Sequence, residues 1–250
     1  MKTMKAAFLA FLLLIPLSAQ SNTENQNASE IIRIAEEKQR GDTAITKIAV
    51  KIERPRFTSS ILLESWDARI GKKSFIRILE PEKDRGVTFL KMENNLWNFI
   101  PKIGREIRIE GSMLQDSWMG SDFSNDDLVR SSSLFTDYTH KYLKLKNDNH
   151  VIELTPKPAM PIEWQRVVYT VRQKDYMPVQ QDFFDHKNRL RKRMEFSDYE
   201  VKSGRLIPTK MRMMTIENNK VKSQTSMLII EASYNVTIPS SIFSKANLRR

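Results

Sequence analysis

The chain contains no cysteine. That excludes disulfides, a thiol nucleophile, thiolate metal sites and lipidation at an N-terminal cysteine. Its three histidines, His140, His150 and His186, fall on separate strands or turns without metal-ligand spacing. No Gly-x-Ser-x-Gly elbow or Walker-type phosphate loop occurs. These absences argue against an enzyme and imply neither a metal nor a cofactor. No apolar run reaches the roughly 20 residues that a membrane-spanning helix requires. There is also no internal repeat, low-complexity tract or linker long enough to separate two domains.

The longest apolar stretch, Ala6 to Leu17, follows Lys2 and Lys5 and ends in Ser18, Ala19 and Gln20. A basic start, a short apolar centre and a small-residue end describe a secretory signal peptide. The expected organisation is therefore a signal over residues 1–19 and a single domain over 20–250, long enough to bury a substantial core. The formal charge of +11 includes Lys2 and Lys5. For an exported basic protein, anionic lipid headgroups or acidic patches on envelope proteins are the expected partners, and nucleic acid is not.

Asn27 and Glu30 have capping-box spacing ahead of Ile31, Ile34, Ala35 and Lys38, predicting an amphipathic helix that starts at Asn27 and ends before Gly41. Beyond Gly41 the apolar period drops to two, first in Thr46, Ile48, Val50 and Ile52. Similar runs recur at about 57–69, 73–80, 86–92, 96–100, 103–110, 135–146, 150–156, 165–174, 178–184, 189–200, 206–217 and 220–232. Short turns such as Glu93-Asn94-Asn95 and Glu217-Asn218-Asn219 join them, which favours antiparallel hairpins. The expected class is mainly β (α+β): one curved antiparallel sheet forming an incomplete β-barrel, covered by a few short α-helices, with lids near 111–119 and 125–131.

Between Leu96 and Leu128 the strand-like LWNFIP passes through IGREIRI into GSMLQDSWMGSDFSNDDL. Trp97, Phe99, Pro101, Arg105, Arg108, Trp118, Met119, Gly120, Ser121, Asp122, Phe123, Asp127 and Leu128 together resemble the LolA-like outer membrane lipoprotein-sorting family. FIRILEPEKDRGVTFL, MEFSDYEVKSGRLIPTKMRM and NVTIPSSIFS extend the resemblance over almost the whole mature chain. It implies a half-barrel with helices over its mouth, acting as a monomeric periplasmic carrier. The cargo would be an acylated lipoprotein or lipid, handed from an inner-membrane exporter to an outer-membrane acceptor. The alternative is a non-carrying adaptor that docks on a lipid-exporting transporter.

Met113, Leu114, Trp118 and Met119 form an apolar cluster beside glycines, and flexible thioethers suit a deformable acyl-chain lining. Such residues also serve as ordinary core. Trp97 and Phe99 share one strand face and are assigned to the interior, with Leu96, Asn98 and Ile100 opposite. Trp66 and Phe89 are further cavity candidates. The expected lipid-binding set is thus Trp66, Phe89, Trp97, Phe99, Met113, Trp118 and Met119. Alternation places Arg189, Arg191 and Arg193 on one face, either solvated or a docking stripe for headgroups or a partner. The acidic string from Asp122 to Asp127 fails the calcium-loop template, and Ser124 with Asp127 reads as a capping box.

Overall fold

The computed structural model describes residues 17–129, 134–158 and 162–250, with side chains from residue 27 onward. Residues 1–16 of the expected signal segment, and residues 130 and 131 of the second expected lid, lie outside the described residues. The opening helix α1 spans Leu17–Gln39. It begins ten residues before Asn27, so Asn27 is not its N-cap. Neither glycine nor proline occurs between Leu17 and Gln39 to stop the helix earlier. Glu30 instead pairs with Arg33 on the outer side at 2.5 Å, while Ala28, Ile31, Ile32 and Ala35 are buried. At the other end the Arg205 guanidinium donates to the carbonyls of Glu37 and Lys38 at 2.8 and 2.9 Å, satisfying acceptors that a helix end leaves open.

Thirteen strands form where alternation predicts them. The first six are β1 (Thr43–Arg54), β2 (Phe57–Ala68), β3 (Lys73–Glu80), β4 (Thr88–Met92), β5 (Asn95–Ile100) and β6 (Arg105–Ile109). The remaining seven are β7 (Tyr138–Lys146), β8 (Asn149–Pro156), β9 (Arg166–Arg172), β10 (Pro178–Phe184), β11 (Leu190–Lys202), β12 (Arg205–Glu217) and β13 (Lys220–Tyr234). Each consecutive pair within these groups is hydrogen-bonded, β1 also pairs antiparallel with β13, and a single unclosed sheet runs from β6 to β7. The run expected from 135 becomes extended only at Tyr138. Leu134–Asp137 forms a helical turn, α3, because Glu36 of α1 accepts the Leu134 and Phe135 N–H groups at 2.8 and 3.1 Å.

Between the two edge strands, residues 110–129 and 134–137 lie over the mouth of the curved sheet. They include the 3-10 turns Gly111–Gln115 and Trp118–Gly120 and the helix α2 (Asn125–Val129). This corner buries Trp118 in one cluster with Val50, Ile52, Ile61, Leu63, Ile78, Phe89 and Leu96. The other sheet face is covered near β3–β5 by the C-terminal segment and its helix α4 (Lys245–Leu248), whose Phe243 and Leu248 bury Phe75 and Leu90. Thr88 Oγ1 donates to the Leu248 carbonyl at 2.6 Å, and Glu106 accepts from Lys245 and Arg249 at 2.8 Å. Those two cations hold the Glu106 carboxyl below its ordinary range. No helix among the described residues is long and apolar enough to cross a membrane.

Lys91 projects from β4 on the side of Phe89 and is only 5% exposed. Burial lowers its ammonium pKa from 10.5 to about 8, against the favourable charge of Asp67. Protonation at neutral pH therefore costs the folded state stability, and the cost fades as pH rises from about 8 towards 10.5. Stability should increase by on the order of 1–2 kcal/mol between pH 8 and 9.5. Chemical denaturation at the two pH values should show this rise in the native protein and its loss in Lys91→Met.

Candidate functional site

The registers align Ile152, Tyr169, Gln181, Met194, Met213, Thr225 and Ile52 in one row across β8, β9, β10, β11, β12, β13 and β1. This row faces the concave side, where α1 packs on its β8–β9 end and the corner segment on its β1 end. The covers do not meet completely. Between them lies a cavity of about 280 Å³, just below the roughly 300–1,000 Å³ usual for small-molecule sites.

Its floor is Tyr169, Phe183, Met194 and Met213, its side wall Ile162 and Trp164, and its roof Phe123. Trp164 and Phe183 pack with ring centroids 5.5 Å apart. Two unbranched thioethers on the floor give it a surface that can reshape around a guest. Polar and charged groups also line it: Glu36, Gln39, Arg40, Asp126, Asp127 and Gln181. The Tyr169 phenol is buried, which pushes its pKa up and keeps it neutral, and it accepts from Gln39 at 3.3 Å. Burial also raises the Glu163 carboxyl, opposed by Lys192 and reinforced by Asp127 and Asp126.

None of the seven side chains expected to bind lipid lines this cavity. Trp118, Phe89 and Met119 belong to the core beneath the corner, with the Trp118 and Phe89 rings edge-on at 6.0 Å. Met113 lies in the same corner but is exposed. Trp97 and Phe99 correct the assignment to the interior face. Trp66, Phe75, Leu90 and Trp97 are register partners in succession, and this row faces the C-terminal segment. Alternation had paired the residues rightly, but both faces of β5 are apolar. The tail covers one and the corner the other, with Leu96 under Trp118.

The arginine stripe is also corrected. A bulge sets Phe183 opposite Lys192 but Phe184 opposite Leu190, so Arg191 leaves the alternation. Arg189 pairs with Asp185 at 2.7 Å and Arg193 with Asp182 at 2.6 Å, while Arg191 turns towards a separate chamber beside Trp164. The capping box forms as expected. The Ser124 N–H donates to Asp127 Oδ2 at 2.7 Å, and the Asp127 N–H donates to Ser124 Oγ at 3.2 Å.

The sequence reading did not identify Asp122 as the anchor of the corner. Its fully buried carboxylate accepts from Arg54 Nη1 at 3.0 Å, Thr215 Oγ1 at 2.6 Å, Ser223 Oγ at 2.5 Å and Thr225 Oγ1 at 2.7 Å. Arg54 also donates to the Gly120 carbonyl at 2.7 Å. The corner is thereby tied to β1, β12 and β13 next to the cavity. The only hint in the sequence is that Ser223 and Thr225 take inward positions on β13, where apolar residues would otherwise be expected.

A family model described as "-like: Uncharacterized protein" matches residues 71–250. No curated protein matches the chain. Among solved structures, a DUF1329 family protein from Desulfovibrio piger superposes with a TM-score of 0.82 at 21% identity, covering 90% of this chain and 99% of its own. A domain named for outer membrane lipoprotein sorting, from Vibrio parahaemolyticus, gives 0.79 at 20% identity, covering 90% and 100%. A LolA superfamily protein from Nitrosomonas europaea gives 0.73 at 22% identity, covering 88% and 98%. The fold expected from the resemblance is the one observed.

Asp122→Ala would leave the Arg54 charge facing an emptied, buried site. Urea denaturation should show a loss of about 3–5 kcal/mol, and Asp122→Asn, which keeps the shape and part of the hydrogen bonding, a smaller one.

Proposed function

The chain belongs to the family that this model describes and has the fold of the LolA superfamily, and on that premise we propose that it is a periplasmic carrier of a lipid or of the acyl chains of a lipoprotein. The observation that carries the reading is the aromatic and methionine-lined cavity between α1 and the corner. Such a carrier needs no bond-making chemistry. Each methylene moved from water into the cavity contributes about 0.8 kcal/mol, and a partner that separates the covers removes that advantage.

The acyl chain lies over Met194 and Met213 and against Trp164 and Phe183. The corner segment is the moving cover, because it rests on the sheet through the Asp122 node, one loose ion pair between Asp127 and Lys192 and one apolar cluster, whereas the strands are continuously hydrogen-bonded. Signal-directed export, with cleavage near Ala19, places the protein where an inner-membrane exporter can load it and an outer-membrane acceptor can unload it. An adaptor would dock through a basic face, and the pairing of Arg189 and Arg193 with aspartates weakens that reading.

Native mass spectrometry of the protein purified gently from an envelope fraction should find near-stoichiometric acylated species. A fluorescent fatty acid should bind the purified protein, and Met194→Glu, which puts a charge on the half-buried cavity floor, should reduce uptake at least about tenfold while circular dichroism stays unchanged. An empty protein that also fails to take up the probe would refute the carrier reading.

A further inference from the structure

A second chamber of about 460 Å³ lies on the far side of Ile162 and Trp164, the two residues it shares with the apolar cavity. Its other walls come from Gln115 of the corner, Glu163, the turn residues Asp185 and His186, Arg191 and Lys192 of β11, and Thr215 of β12. Two cavities therefore meet at one indole.

The cations in this chamber differ from the neighbouring arginines on either side of them. Arg191, displaced by the bulge, makes no hydrogen bond or ion pair with any described residue, unlike Arg189 and Arg193. Lys192 is well covered; its ammonium forms a loose ion pair with Asp127 Oδ2 at 3.8 Å, longer than a hydrogen bond, and lies 5.5 Å from the Trp164 ring centroid. It stands at the partition between the chambers. The acidic walls offset these cations only partly. The Asp185 carboxylate is already engaged by the Arg189 guanidinium and by the Lys187 and Arg189 N–H groups. Burial raises the Glu163 carboxyl pKa, with Lys192 and Arg191 opposing the shift and Asp127 and Asp126 adding to it.

We propose that this chamber is an anion subsite, in which Arg191 and Lys192 hold the phosphate or carboxylate headgroup of an amphiphile whose chain lies in the adjoining apolar cavity. The assignment rests on the carrier reading and narrows its cargo to anionic amphiphiles. Arg191 supplies a forked, permanently charged donor, and Lys192 a point charge at the junction between head and chain.

The test is calorimetric titration of the purified protein with dodecyl phosphate, dodecanol and inorganic phosphate. Dodecyl phosphate should bind at least about tenfold more tightly than dodecanol, and inorganic phosphate should not bind measurably. Arg191→Gln combined with Lys192→Met should abolish the preference while leaving dodecanol affinity within about twofold. Equal wild-type affinity for the two dodecyl compounds would overturn the subsite and leave the carrier reading standing. So would an equal loss of both in the double variant. Inorganic phosphate binding as tightly as dodecyl phosphate would overturn it too, since the site would then serve free anions. Failure of both dodecyl compounds to bind would overturn the carrier reading and the subsite together. The wild-type comparison needs no variant, so a misfolded double variant leaves the proposal exposed to refutation.

Discussion

The antiparallel pairing of β1 with β13 is the interaction on which the rest of the molecule depends. Ile52 meets Thr225 and Ala44 meets Tyr234, pairs 173 and 190 positions apart, and this contact turns two separate meanders into one sheet. Once it forms, the natural twist of so many strands curves the sheet and leaves β6 and β7 as its two edges. The segment between those edges then has to cross the mouth. The node that fixes it stands on the same seam, because Arg54 belongs to β1 and Ser223 and Thr225 to β13.

That dependence explains why one concave face contains both a packed corner and a cavity. Near the seam the crossing segment is tethered closely, and Trp118 is pressed onto Phe89 and Leu96. Farther along, α1 lies over β7 and β9 and is fixed near its C-terminal end by Arg205 and by the α3 turn. The gap between two separately anchored covers is filled by Phe123 from above and Met194 and Met213 from below, and they do not close it.

Much of this architecture is legible in the chain. Residue alternation finds all thirteen strands, and the turn chemistry makes them antiparallel neighbours, because period-two burial and hairpin loops are local properties. The Ser124 and Asp127 capping box is legible for the same reason. The site is much less so. Trp97 and Phe99 look like cavity aromatics, but which side of a two-faced apolar strand meets a cavity depends on what covers each side, and the tail that covers these residues is more than a hundred positions away. Arg191 looks like one of three equivalent arginines until a one-residue bulge turns it towards a different chamber.

The sequence by itself determined the strand-rich class, the unclosed antiparallel sheet, the amphipathic opening helix and the apolar corner, because each follows from short-range periodicity, turn geometry and side-chain size. The location of the cavity, the buried anchoring of Asp122 and the difference between paired and unpaired arginines were decided only by the tertiary structure. The Asp122 node joins residues 68 to 103 positions apart, the cavity forms where helix, corner and sheet cover one another, and the arginines differ because a bulge in the pairing of β10 with β11 displaces one of them.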